Sequence, residues 1–151
     1  MSTPEIGARA PDFTLPSTRG PLQLSKLLGK GPVLLVFYPG DDTPVCTKQL
    51  CNYRDNLGVF EKLGVQVVAL NPQSEESHGK FAEKHRLPFP VAADAGGEVT
   101  RAYGARGLFG MTKRALVLVG RDGKIAWRKV DFPLFYETTD DVRAALEKVS
   151  L

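Results

Sequence analysis

The chain has 151 residues, 42% of them hydrophobic and 25% charged, with 20 lysines and arginines against 17 acids for a net charge of +3. That size and balance describe one globular domain over residues 1–151 with a single core. No apolar run approaches the ~20 residues that cross a bilayer, and no block of five or more like charges occurs. No membrane partner is therefore expected, and the basic residues read as a solvated surface rather than a nucleic-acid footprint.

Met1-Ser2-Thr3-Pro4-Glu5-Ile6 has neither the basic nor the apolar segment of a signal peptide, so the expected compartment is a reducing cytoplasm. Ala10 to Pro16 alternates weakly between prolines and suits a short edge strand. Leu22-Gln23-Leu24 reads as a second short strand, followed by a helical turn from Ser25 to Leu28. Val33-Leu34-Leu35-Val36-Phe37 is a continuous apolar run, the mark of a buried central strand. A helix is expected from Pro44, continuing to Leu63, with Gly58 as its weak point. Val65 to Leu70 is the next buried strand, and Ser74 caps a helix to about Arg86 that Pro88 and Pro90 terminate.

Val91-Ala92-Ala93 follows, then a short helix from Gly97 to Tyr103 and a loop from Gly104 to Thr112. Ala115 to Val119 and Lys124 to Val130 flank the turn Gly120-Arg121-Asp122-Gly123 as a hairpin. Thr138 or Thr139 caps a final helix with Val142, Ala145, Leu146 and Val149 inward. The order gives an α/β fold, a mixed central sheet flanked by helices with an N-terminal β extension, similar to the thioredoxin-like architecture.

The chemistry concentrates in Pro39-Gly40-Asp41-Asp42-Thr43-Pro44-Val45-Cys46-Thr47-Lys48-Gln49-Leu50-Cys51, which holds both of the chain's cysteines. Thr43 reads as helix N-cap and Pro44 as the first helical residue. Cys46 then lies in the first turn, where free N–H groups and the helix dipole favour a thiolate. Five residues along a helix separate Cα atoms by ~8–9 Å, whereas a disulfide needs them within roughly 7 Å. The two thiols can bond only if the first turn unwinds. Gly40 and the Asp41-Asp42 pair are expected to give the preceding loop freedom to do so.

Phe37-Tyr38-Pro39 through Thr43-Pro44-x-Cys46-Thr47 resembles the proline–threonine–cysteine motif of the peroxiredoxins. The C-x4-C spacing is similar to the bacterioferritin comigratory protein group, the Q-type, atypical two-cysteine peroxiredoxins. Asp12-Phe13, Cys51 to Asn56, Ser77-His78-x-Lys80-Phe81, Leu87 to Pro90, Ala102-Tyr103-Gly104 and Arg114 resemble that group's landmarks. The chain departs from the pattern at Val45, where the group has glycine, at Leu50 and at Gly120.

The resemblance implies a thioredoxin-dependent peroxidase for hydrogen peroxide and organic hydroperoxides. Cys46 would be the peroxidatic thiol and Cys51 the resolving one. Thr43 would hydrogen-bond thiolate or peroxide, Pro39 would shield the thiolate, and Arg114 would lie against it. It implies no metal, haem or flavin cofactor, and thioredoxin or a similar dithiol as reductant. The short chain, with no extra partner-binding arm, is expected to be a monomer.

Each residue also has a plainer reading. Cys46 and Cys51 are core hydrophobes, Thr43 is only a cap, Pro39 only turns the chain, and Arg114 is an exposed strand end. Gln49 shares a face with Cys46 and holds the loop, while Arg54 adds positive potential or pairs with Asp55 or Glu61. His78 and His85 read as helix-surface residues; zinc bound by them with the cysteines fits the spacing poorly. Phe109, Phe132, Phe135 and Tyr136 form either an apolar collar or a partner surface. The rival functions are a thioredoxin-like disulfide oxidoreductase, disfavoured because such proteins use C-x-x-C, and a redox sensor or holdase switched by the same disulfide.

Overall fold

The computed structural model describes residues 4–107, 111–131 and 135–149. Near the amino terminus, strands β1 (Thr14–Leu15) and β2 (Leu22–Gln23) pair antiparallel, and α1 (Leu24–Leu28) follows directly. The main sheet has five strands: β3 (Val33–Phe37), β4 (Gln66–Asn71), β5 (Val91–Ala93), β6 (Arg114–Val119) and β7 (Ile125–Asp131). Their spatial order is β5-β4-β3-β6-β7. The β3–β4 and β4–β5 pairs are parallel, whereas β3–β6 and β6–β7 are antiparallel. This is the mixed sheet with helices on both faces, and the N-terminal β extension, expected from the order of elements.

The sheet's two faces explain why β3 is apolar throughout. Leu34 and Val36 join one core with Tyr38, Leu50, Tyr53, Phe60, Phe81, Val142 and Leu146. Val33, Leu35 and Phe37 join the other, with Phe13, Leu24 and Tyr103. A strand covered on both sides gains from an apolar residue at every position, so period-two alternation disappears. The helices supplying these faces are α2 (Pro44–Asp55), α3 (Leu57–Lys62), α4 (Glu75–His85), α5 (Glu98–Ala102) and α6 (Thr139–Glu147). Among the described residues, no helix is long and apolar enough to cross a membrane.

The helix expected to run from Pro44 to Leu63 is two helices, broken at Asn56 (φ −120°, ψ 24°) rather than at Gly58. The Asn56 amide donates to the Asn52 carbonyl at 2.8 Å, competing with the helical ladder as short polar side chains do. Gly58 sits inside α3 without ending it. Ser74 caps α4 by accepting from the Ser77 N–H. Thr138, not Thr139, caps α6, in a reciprocal pair with Asp141. The hairpin closes where expected, with the Gly123 N–H bonded to the Gly120 carbonyl at 2.9 Å.

Candidate active site

Two features of local sequence place the first turn of α2 at the end of the sheet. Strand β3 stops at Phe37, and Tyr38, Pro39 and Gly40 carry the chain past the strand's end, Tyr38 and Gly40 buried and Pro39 half-buried. Pro44 then opens the helix at its first position, where a missing N–H breaks no helical bond. Thr43 occupies the N-cap in extended conformation (φ −84°, ψ 146°), but its side chain makes no cap bond. Instead the Thr43 hydroxyl donates to the Gly40 carbonyl at 2.9 Å. The expected cap is thus replaced by a clasp across the loop, and the hydroxyl oxygen keeps its lone pairs.

Cys46 is 1% exposed, and Arg114 Nη2 lies 3.1 Å from its sulfur. The sheet register brings together two residues 68 positions apart. Ala115 pairs with Phe37, so Arg114, at the start of β6, lies beside the end of β3 where the chain turns into α2. Arg114 is itself only 2% exposed, not the exposed strand end of the plainer reading. Its Nη1 donates to Gln49 Oε1 at 2.5 Å. The Gln49 amide donates in turn to the Tyr53 hydroxyl at 3.2 Å, and Tyr53 donates to the Glu137 carbonyl at 2.6 Å. Gln49 therefore holds the arginine, not the loop. Burial pushes the Tyr53 hydroxyl far above its ordinary range, so it stays a donor.

Cys51 lies on the same helix, half-buried, and both thiols are free. Its neighbours tie this half of α2 to the rest of the fold. Asn52 Oδ1 accepts from the Thr139 N–H at 2.7 Å and the Thr139 hydroxyl at 2.9 Å. Arg54 donates to the His85 carbonyl at 2.6 Å and pairs with Asp55 at 2.8 Å. Of the two readings of Arg54, the ion pair with Asp55 is the one found.

The histidines correct the sequence reading most. His78 is fully buried, with Nδ1 2.7 Å from Asp41 Oδ2. His85 is partly enclosed against Phe81, its Nε2 3.5 Å from Asp42 Oδ1. An eleven-residue helix with only Phe81 and one alanine as large or aliphatic positions gives the sequence no hint that a histidine completes its inner face. Among the described residues no group of three or more His, Cys, Asp or Glu is arranged to hold a metal.

The loop before α2 is pinned rather than free. Asp41 accepts from Tyr38 and Ser77 as well as facing His78, and its N–H donates to Gln73. Of the four aromatic residues, Phe109 and Phe132 lie outside the described residues, Phe135 is exposed and Tyr136 half-buried.

Comparison with known proteins follows this geometry. Residues 6–128 match the AhpC/TSA family model. The chain is 38% identical over 138 residues to peroxiredoxin Bcp of Bacillus subtilis (strain 168), covering 85% of this chain and 87% of that one. It is 46% identical over 99 residues to the chloroplastic peroxiredoxin Q of Sedum lineare, covering 65% of this chain. The chain spans about half the length of such chloroplastic relatives, 53% and 46% in two cases. The crystal structure of peroxidoxin BcpB from Mycobacterium tuberculosis superposes with a TM-score of 0.81 at 34% identity, over 95% of this chain and 93% of that one. The chain belongs to the AhpC/TSA family, and within it is similar to the Bcp and peroxiredoxin Q proteins.

Proposed function

We propose that this protein is a thiol-dependent peroxidase, with Cys46 as the attacking sulfur and Cys51 as the resolving one. The observation that carries the reading is the Arg114 guanidinium 3.1 Å from a buried sulfur at the first turn of a helix. A fixed cation and helix N-terminal dipoles both favour negative charge on that sulfur and on the peroxide as its bond breaks.

In the first step the Cys46 thiolate attacks the terminal oxygen of a hydroperoxide. An S–O bond forms, the O–O bond breaks, and the departing alkoxide or hydroxide takes up a proton. Sulfur is oxidised to the sulfenic acid as the peroxide is reduced to alcohol or water. The Thr43 hydroxyl, whose proton is engaged by the Gly40 carbonyl, would accept a hydrogen bond from the incoming O–O–H group. Pro39, half-buried at the loop, would keep bulk water from the thiolate.

In the second step the Cys51 thiol attacks the Cys46 sulfur, an S–S bond forms and water leaves. The continuous helix from Pro44 to Asp55 keeps the two Cα atoms ~8–9 Å apart, beyond the roughly 7 Å that a disulfide tolerates. The first turn therefore unwinds before the bond closes. A dithiol reductant of the thioredoxin class then restores both thiols in a reducing, cytoplasm-like compartment, the protein working as a monomer.

The test is peroxide turnover coupled to thioredoxin, thioredoxin reductase and nicotinamide consumption. Many equivalents of hydrogen peroxide consumed per chain support the reading. Consumption that stops at one equivalent with an intact reductant system refutes the cycle and leaves a single-use sensor.

A further inference from the structure

Asp41 and His78 have no part in the sulfur chemistry described above, yet both are enclosed. The Asp41 side chain is 3% exposed and that of His78 fully buried. Every direction of the carboxylate is occupied. Oδ1 accepts from the Tyr38 hydroxyl at 2.5 Å, and Oδ2 accepts from the Ser77 hydroxyl at 2.7 Å while facing His78 Nδ1 at 2.7 Å. The Asp41 N–H donates to Gln73 Oε1 at 2.6 Å. On the far side of the ring, His78 Nε2 faces the Asn71 carbonyl at 3.4 Å. The next residue, Asp42, stands at φ 58°, a left-handed conformation uncommon outside glycine that aspartate tolerates better than most residues. Its carboxylate reaches Lys84 Nζ at 3.2 Å on the same helix α4.

A link joining a strand to a helix needs none of this, and a carboxylate is buried without a large cost only when paired and hydrogen-bonded, as Asp41 is. What the link controls is the start of α2. Gly40, one residue before Asp41, supplies the carbonyl that holds the Thr43 hydroxyl. Beyond the cysteines, Asn52 and Arg54 tie the other half of the helix to α6 and to His85. Any unwinding that brings the sulfurs together therefore falls on the turn adjoining the Asp41 link.

We propose that Asp41 and His78 form a latch holding the first turn of α2 folded, and that its strength sets the fate of an oxidised Cys46. This rests on the peroxidase reading. While the latch is closed, a sulfenic acid at Cys46 stays beside Arg114 and out of reach of Cys51. A second hydroperoxide can then transfer its terminal oxygen to that sulfur, giving the sulfinic acid and releasing alcohol or water. When the latch opens, the Cys51 thiol attacks the same sulfur, forms the disulfide and releases water. The two products come from two conformations of one loop, so the ratio follows their populations. Asp41 and His78 are positioning residues, not catalytic ones.

The experiment measures, by intact mass, the fraction of chain converted to sulfinic acid against peroxide concentration during turnover with thioredoxin. Asp41→Asn keeps the shape of the side chain and removes its charge; Ser77→Ala removes one donor from a half-buried position. Asp41→Asn should raise the peroxide concentration for half-conversion about tenfold, the scale of losing a charge-assisted bond. Ser77→Ala should raise it a few-fold, and the first oxidation should slow by less than these factors. A merely structural role would lower the melting temperature and slow the first oxidation without moving that concentration. An unchanged half-conversion concentration in a folded variant overturns the latch, and Ser77→Ala decides the matter if Asp41→Asn does not fold. If the parent protein forms neither sulfenic acid nor disulfide, the peroxidase reading fails instead.

Discussion

Replacing Arg114 by alanine removes the guanidinium that contacts Cys46, the sulfur proposed to react. At 3.1 Å and an effective dielectric near 20, a unit charge pair is worth ~5 kcal/mol. Only the part that grows as the O–O bond breaks accelerates the step. Removing one preorganised donor from such a site typically costs about 3–4 kcal/mol of activation free energy, or 10²–10³-fold in rate. The expected outcome for Arg114→Ala is therefore a loss of roughly 10²–10³-fold in the second-order constant for the first oxidation. Arg114→Lys should recover only about tenfold of it, because one ammonium cannot hold both Cys46 and Gln49 as the fork does. Competition with a haem peroxidase for limiting hydrogen peroxide measures the constant, with circular dichroism at the assay temperature as the check on folding. A folded Arg114→Ala within ~3-fold of the parent would show that the contact does not act in the transition state.

Cys51→Ser should consume one equivalent of peroxide, then stop with thioredoxin as sole reductant and accumulate sulfenic and later sulfinic acid, read by mass. Gln49→Ala takes away the acceptor of Arg114 Nη1 and should slow the first oxidation by about tenfold, the scale of a hydrogen bond to a charged group. Burial pushes the Asp41 carboxyl up, but bonds from His78, Tyr38 and Ser77 outweigh it and hold the group below the ordinary carboxylate range. Its contribution to stability is thus present above the unfolded value near ~3.9 and is lost as pH falls through the lower folded value. In urea melts from pH 5 downward, Asp41→Asn should flatten that acid limb. Amide exchange on the oxidised chain should lose protection over residues 43–50 and keep it over 52–55, and equal loss across both segments would contradict the tethering of the second half by Asn52 and Arg54.

The strands were legible because their signal is local. Uninterrupted apolar runs bounded by glycine and proline produced β3, β4 and β6 almost to the residue, and Gly120 to Gly123 located the hairpin. The site was legible in halves. Thr43, Pro44 and Cys46 announce a helix start in adjacent positions, so that half needs no knowledge of the fold. Arg114 needs the β3–β6 register, which no spacing along the chain encodes; only the family resemblance singled it out.

The loop was misread for a related reason. Gly40 and two aspartates look like a flexible turn, but the partners that pin Asp41 are Tyr38, Gln73, Ser77 and His78, three of them more than 30 positions away. His78 looked exposed because polar residues surround it on α4, and the buried carboxylate it faces, that of Asp41, lies outside that helix. The break at Asn56 was missed by weighing glycine's weak helix propensity above a side-chain bond to the ladder.

On the proposed peroxidase reading, one helix carries two opposed mechanical requirements. Peroxide reduction needs Cys46 fixed against a cation in a buried pocket, since stabilising charge on the reacting sulfur depends on groups already in place. Disulfide formation needs the same residue to leave that pocket. Twelve residues of continuous helix could not satisfy both if they were held evenly. They are held unevenly. Past Cys51 the helix is bonded by side chains to α6 and to the end of α4, contacts that sulfur oxidation does not touch. Before Cys51 it is held by Arg114, whose attraction depends on negative charge at sulfur, and by the Asp41 link, whose bonds do not involve sulfur at all. Converting the thiolate to a neutral sulfenic acid weakens the first of these restraints and leaves the second. On that reading the arginine ties the grip on Cys46 to its oxidation state, while the proposed Asp41 latch sets a threshold independent of it. With both restraints, the proposed cycle holds the turn folded around the unreacted sulfur, and oxidation removes one restraint of the two.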